Sequence, residues 1–297
     1  MMNTIQTTGL DRDPIDKYYT KTVVAEKCIN LVKDILSISK QKDTIIEPSA
    51  GSGVFYNLLL TLSNNVLMYD IKPEHENVIS RDYLCISNQE IKNNLNSGKI
   101  HVIGNPPFGR QSSLAIKFIK KSCSFSDTIS FILPKSFKKD SMKKAFTPNF
   151  HLLQEIELDK NSFTVNGDDH DSPCIFQIWE KRNSPRYIPV PDEPIGYHFV
   201  KKDKSPMLSV RRVGGTAGHV DTCIDTKSEQ SHYFIVIDEV LLIEKIPDII
   251  LLLNGITHEF NNTVGPKSLS KPEIIIKFNK IFKNLLNLTD TENNLIN

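Results

Sequence analysis

The chain has 297 residues, enough for one large domain or two, and its 39% apolar content is ordinary for a protein with a packed core. Lysine plus arginine (36) nearly balance aspartate plus glutamate (35), so a net charge of +1 excludes a global electrostatic field and leaves any nucleic-acid partner to a local basic patch. No apolar run approaches a membrane span, the polar N-terminus has no signal-peptide core, and five scattered cysteines without a Cys-x-x-Cys pair argue for a cytoplasmic setting and against zinc.

Residues 1–15 are polar and without periodicity, and are expected to form a flexible leader. Lys17-Tyr18-Tyr19-Thr20 leads into Val23, Val24, Cys28, Ile29, Leu31, Val32 and Ile35, one apolar face of a helix for which Thr20 is a candidate N-cap. Thr44-Ile45-Ile46 has the pattern of a buried strand, and Glu47-Pro48-Ser49-Ala50-Gly51-Ser52-Gly53 is the turn between it and a helix over Val54 to Leu62. Gly51 and Gly53 allow backbone to approach a ligand closely, with Ser49 and Ala50 in the same turn. No Gly-Lys-Ser/Thr follows, which excludes a phosphate-binding P-loop, and the Glu47 carboxylate favours a cationic or amine-bearing ligand. A second strand, Val66-Leu67-Met68-Tyr69-Asp70, ends in an acid about twenty residues past the turn, placed to accept both hydroxyls of a ribose.

His101-Val102-Ile103-Gly104 is a third strand that stops abruptly at Asn105-Pro106-Pro107-Phe108. Two prolines fix φ twice and hold the residues before them extended, so the turn is stiff. It fixes the Asn105 amide and the Pro106 carbonyl, which can accept both hydrogens of an exocyclic NH2, beside a Phe108 ring that can stack on the heterocycle carrying it. The bland alternative for a lone Asn-Pro-Pro is a rigid strand exit, and the glycine turn upstream weighs against it.

An amphipathic helix at Leu114, Ala115, Phe118 and Ile119 follows, then a central strand over 128–133 and a cluster of Lys135, Lys138, Lys139, Lys143 and Lys144, either phosphate contacts or a solvated face. Strands over 152–158 and 174–179 complete a Rossmann-like α/β sheet, the last two as an antiparallel hairpin joined by loop. Composition changes near Lys181, where Pro185, Pro189, Pro191, Pro194 and Pro206 interrupt any long helix, and 183–297 is expected to be a small α+β module. In it, Arg211 and Arg212 precede a glycine-rich stretch and can grip phosphate or a guanine edge, or flank an ordinary β-turn. The module also has a strand over 232–237 and a capping box, Ser270-Lys271-Pro272-Glu273, before a helix over 274–288.

Asn105-Pro106-Pro107-Phe108, with the Tyr19-Thr20 segment and the Glu47 to Gly53 turn preceding it, resembles the S-adenosylmethionine-dependent adenine-N6 DNA methyltransferases, in the motif order of their gamma class, over about Asp16 to Lys181. The resemblance implies a class I methyltransferase sheet and a catalytic domain at 16–182, followed by a target-recognition region. It implies that S-adenosylmethionine is held by Tyr19, Thr20, Glu47, Ser49, Ala50, Gly51, Gly53, Asp70, Asp82 and Asn105, with Asp82 taking the cofactor's adenine amine. It implies catalysis by Asn105, Pro106, Pro107 and Phe108 without a metal, on an adenine flipped from double-stranded DNA and stacked between Phe108 and Phe163. Adenine in RNA and protein glutamine are the competing acceptors, and a non-catalytic nucleic-acid-binding relative is the competitor from outside the enzymes.

Overall fold

The computed structural model describes residues 18–93, 98–165, 167–190, 192–258, 260 and 267–296; the expected leader, Asp16, Lys17 and Pro191 lie outside them. Two compact units divide the chain, 1–188 and 189–297. Ile45, Ile46, Val102, Ile103 and Ile129 are wholly buried, as strands covered on both faces require.

The first unit runs β1 (Tyr19–Thr20), α1 (Thr22–Ile35), β2 (Thr44–Glu47), α2 (Tyr56–Leu62), β3 (Asn65–Asp70), β4 (Ile79–Ser80), α3 (Asn88–Asn93) and β5 (Ile100–Gly104). It continues through α4 (Ser113–Cys123), β6 (Thr128–Pro134), α5 (Asp140–Lys143), β7 (Phe150–Glu157), β8 (Phe163–Val165), β9 (Asp168–His170) and β10 (Cys174–Lys181). Seven strands form one sheet in the order β4-β3-β2-β5-β6-β10-β7. The first five are parallel, while β10 lies antiparallel between β6 and β7. This is the Rossmann-like, mainly parallel sheet that was expected, with an antiparallel strand pair at one side. Apolar clusters fill both faces, one around Phe118, Phe131 and Trp179, the other around Val32, Leu59 and Phe176.

Two local expectations are corrected. The segment between β7 and β10 is not plain loop, because β8 and β9 form a hairpin in it and β8 pairs with β1, Thr20 opposite Phe163. That pairing draws Thr20 into a strand, so α1 starts one residue later behind Lys21 and has no side-chain cap.

The second unit has β11 (Tyr197–Val200), β12 (Leu208–Arg211), β13 (Val220–Asp221), β14 (His232–Ile237), α6 (Val240–Ile243), α7 (Ile246–Asn254) and α8 (Lys271–Ile296). Its four strands form an antiparallel sheet in the order β11-β14-β12-β13, with a core of its own around Tyr197, Ile235, Phe278 and Phe282. Glu273 accepts from the Ser270 backbone N–H at 2.8 Å, half of the capping box expected at the start of α8. No helix among the described residues is long and apolar enough to cross a membrane.

Candidate active site

Parallel neighbours end together, so β2, β3 and β5 deliver Glu47, Asp70 and the Asn105 turn to one edge of the sheet. There they line a cavity of about 280 Å³, closed on other sides by Tyr18, Tyr19, Thr20, Ile71, Asp82, Leu114 and Phe118. Asn105 and Gly51 face the same space.

Glycine is required twice. Gly51 has φ +51°, and a Cβ on it would stand 3.9 Å from the Tyr19 ring, which spans the turn and donates its hydroxyl to Glu74 at 2.8 Å. Gly104 lets the reaction turn pass Glu47: a Cβ there would meet the Glu47 side chain at 3.2 Å. Gly53 does not face the cavity as expected, because its open side is filled by the His75 ring, 2.7 Å from where a Cβ would be.

Glu47 is 1% exposed, and its Oε2 is buried without a hydrogen-bond partner. Burial first, and then the neighbouring Asp70 charge, push its carboxyl up to about 8. A carboxyl so placed keeps its proton near neutral pH until a cation takes the proton's place. Asp70 accepts from the Gly51 N–H at 2.8 Å and from the Lys72 N–H at 2.7 Å, which fixes its plane at the cavity wall. Asp82 lines the cavity, but one of its oxygens accepts from the Leu84 N–H at 2.9 Å and the other from the Cys85 thiol at 3.3 Å, so it also caps the turn that follows.

At the reaction turn, Ser49 Oγ donates to the Asn105 backbone carbonyl at 3.0 Å and ties the two loops together. The Asn105 amide nitrogen donates to Thr20 Oγ1 at 3.1 Å and, more loosely, to the Tyr18 carbonyl at 3.4 Å. Its oxygen Oδ1 is buried with no partner. The Pro106 carbonyl takes no hydrogen bond among the described residues. Both residues line the cavity, as does the half-buried Phe108 ring.

Phe163 is not at the wall. It is wholly buried with Ile103, Ile132 and Phe176, because its strand packs inward against the sheet, and it meets Tyr18 edge-on at 6.5 Å. The ring across from Phe108 is Tyr18, centroids 6.2 Å apart and planes 22° from parallel. Sequence reasoning passed over Tyr18, and also over Ile71, an isoleucine 63% exposed directly after Asp70. An apolar side chain following a strand-end acid was the available signal for Ile71; Tyr18 gave none beyond its place next to Tyr19.

Much of the lysine cluster is occupied within the fold. Lys135 and Lys138 both bind Glu157, at 2.7 and 2.6 Å, and Lys143 faces Glu155 at 3.7 Å. Cys28, Cys123 and Cys174 are buried as expected of small hydrophobes, but Cys85 and Cys223 are exposed. In the second unit, Arg211 Nε donates to the Val213 carbonyl at 3.0 Å and so holds its own turn. Arg212 instead lies over the Tyr233 ring at 5.1 Å, with Lys271 over Phe199 at 4.7 Å. No group of three or more candidate metal ligands occurs among the described residues.

No protein-family model matches the sequence, and no curated protein matches it. Solved structures are similar in part. A candidate RNA methyltransferase from Pyrococcus horikoshii is 18% identical over 59% of this chain and 93% of its own, with a TM-score of 0.43. A candidate class I S-adenosylmethionine-dependent methyltransferase from Listeria monocytogenes is 15% identical over 61% of this chain and 65% of its own, TM-score 0.42. A methyltransferase of the same cofactor dependence from Anabaena variabilis is 11% identical over 56% and 87%, TM-score 0.38. The activity of none of the three is carried to this chain on likeness of that degree.

Proposed function

We propose that this protein transfers a methyl group from S-adenosylmethionine to the exocyclic N6 amine of adenine in DNA. The observation that carries the reading is a pair of buried oxygens without hydrogen-bond partners, Glu47 Oε2 and Asn105 Oδ1, in residues that line one cavity.

The residues fit such a cofactor. Glu47 would take its α-amino group, Asp70 its ribose hydroxyls through the lone pairs left by Gly51 and Lys72, and Gly51 would let it lie against the backbone. When bound, S-adenosylmethionine supplies an electrophilic methyl. The remaining work belongs to the reaction turn. An adenine amine is a poor nucleophile because its lone pair is delocalised into the ring. Accepting both of its hydrogens, at Asn105 Oδ1 and the Pro106 carbonyl, draws the nitrogen toward tetrahedral geometry and localises that pair. The stiffness of Pro106-Pro107 means that no reorganisation is needed as charge develops. A base inside a duplex is out of reach, so it must be extruded, with the Phe108 ring replacing part of its lost stacking.

Adenine in RNA and protein glutamine present the same NH2, and motif order is what favours DNA. The test is incubation with radiolabelled S-adenosylmethionine and separate DNA, RNA and protein acceptors, followed by nucleoside analysis. Label is expected in N6-methyladenine of DNA; label only in protein overturns the choice. Asn105→Ala should lower the transfer rate about a hundredfold or more while DNA binding stays nearly intact. A surviving rate with lost binding would remove the role given to Asn105, and lost transfer is what separates an enzyme from a binding relative.

A further inference from the structure

An amide can offer a partner either two hydrogens or two lone pairs, and the end facing the cavity decides what the site recognises. In Asn105, a residue of the cavity wall, the nitrogen is bound to the Thr20 hydroxyl at 3.1 Å and the Tyr18 carbonyl at 3.4 Å, and the buried oxygen is left without a partner. Turning the amide over would set its oxygen against the Tyr18 carbonyl. The Tyr18 contact therefore fixes the polarity, but it is long. The shorter Thr20 bond keeps the group in place, and Thr20 itself is held in β1 opposite Phe163.

We propose that Thr20 is a positioning residue: its hydroxyl anchors the Asn105 amide in the place where the Tyr18 carbonyl sets its polarity, and so helps the site select a ring edge bearing an amine over one bearing a carbonyl. This rests on the methyltransferase reading for its meaning, but its geometry can be tested apart from transfer. Replacing Thr20 with valine conserves shape and sets a methyl group where the acceptor was. The amide N–H groups then lose their better partner, and rotation toward the cavity becomes competitive. Serine keeps the hydroxyl.

Three proteins are compared: the full chain, Thr20→Val and Thr20→Ser. S-adenosylhomocysteine affinity is measured first by calorimetry, then adenosine and inosine binding to the S-adenosylhomocysteine-saturated protein by saturation-transfer NMR titration. The full chain should favour adenosine by about tenfold, because inosine sets a carbonyl against Asn105 Oδ1. At saturating S-adenosylhomocysteine, Thr20→Val should narrow that ratio at least about threefold, and Thr20→Ser should restore it. In the transfer assay, at saturating S-adenosylmethionine, Thr20→Val should lower kcat and Thr20→Ser should recover it. An unchanged adenosine-to-inosine ratio in Thr20→Val at saturating S-adenosylhomocysteine, or no preference in the full chain, overturns the proposal. If S-adenosylhomocysteine binds none of the three, the methyltransferase reading falls by itself, and the nucleoside ratio, taken on the ligand-free proteins, still decides the role of Thr20.

Discussion

Glu47 shows how a single buried group can couple ligand binding to protons. Its carboxyl lies near 8 in the folded chain, through burial and then the Asp70 charge, against an ordinary value of 4.5. For a raised acid the folded state holds the proton more tightly than the unfolded one. Its contribution to stability is therefore full below about pH 4.5 and is lost as pH rises toward about 8. An ammonium group arriving beside it reverses the preference and expels the proton. Binding of S-adenosylhomocysteine at pH 6.5 should release up to about one proton, seen as a calorimetric enthalpy that changes with the ionisation enthalpy of the buffer. Affinity should rise with pH and level off above about 8. Glu47→Gln should bind more weakly and show no buffer dependence; a buffer dependence that persists in that variant would place the proton elsewhere.

At the scale of elements, the opposite end of the sheet is tied by a buried polar group. His101 in β5 is 1% exposed, with Nδ1 2.7 Å from Thr128 Oγ1 in β6 and Nε2 3.3 Å from Asp43 Oδ2 just before β2. A neutral ring satisfies both contacts, accepting from the threonine and donating to the carboxylate. Burial lowers the affinity of His101 for a proton, and although burial also pushes Asp43 up, the Ser39 and Lys99 amides with His101 hold its carboxyl below the ordinary range. Both groups therefore cost stability as acid is added. The His101 part is lost as pH falls below 6.5 toward its lowered value, the Asp43 part as pH falls below 3.8. Melting temperatures from pH 7.5 to 5 should drop less steeply in His101→Gln than in the unaltered chain, and parallel curves would show that His101 does not titrate there. Such ties explain what sequence could show. The parallel strands and the Asn105-Pro106-Pro107-Phe108 turn were legible because apolar runs and prolines act locally, and the shared edge holding Glu47, Asp70 and Asn105 follows from parallel pairing. The β8–β9 hairpin was not, being two three-residue strands, one of them the polar Asp168–His170. The true neighbours of Thr20 and Phe163 depend on that hairpin, so the N-cap assigned to one and the stacking assigned to the other were beyond local pattern.

Across the whole molecule, each unit has its own core among the described residues: the apolar clusters of the first end at Trp179, and that of the second begins at Tyr197. The residues between include Tyr187 and Val190, 85% and 82% exposed. Every side chain lining the cavity belongs to the first unit. A chain ending at Ile188 should therefore fold and bind S-adenosylhomocysteine within about threefold of the full protein, since folding and site share one core. Duplex affinity should depend on the second unit, and there the two arginines separate. Arg211 is committed to the Val213 carbonyl, whereas Arg212 and Lys271 rest on Tyr233 and Phe199 with no carboxylate partner among the described residues. Cations left on aromatic faces are the ones available to phosphate. Arg212→Ala and Lys271→Ala should each reduce the salt dependence of binding to a mixed-sequence duplex by about one unit of slope, read by anisotropy between low and physiological salt. Arg211→Ala should instead lower the melting temperature and leave the slope in place. If the chain ending at Ile188 keeps full duplex affinity and the same slope, the second unit is not the nucleic-acid contact, and the phosphates must be met by the first unit.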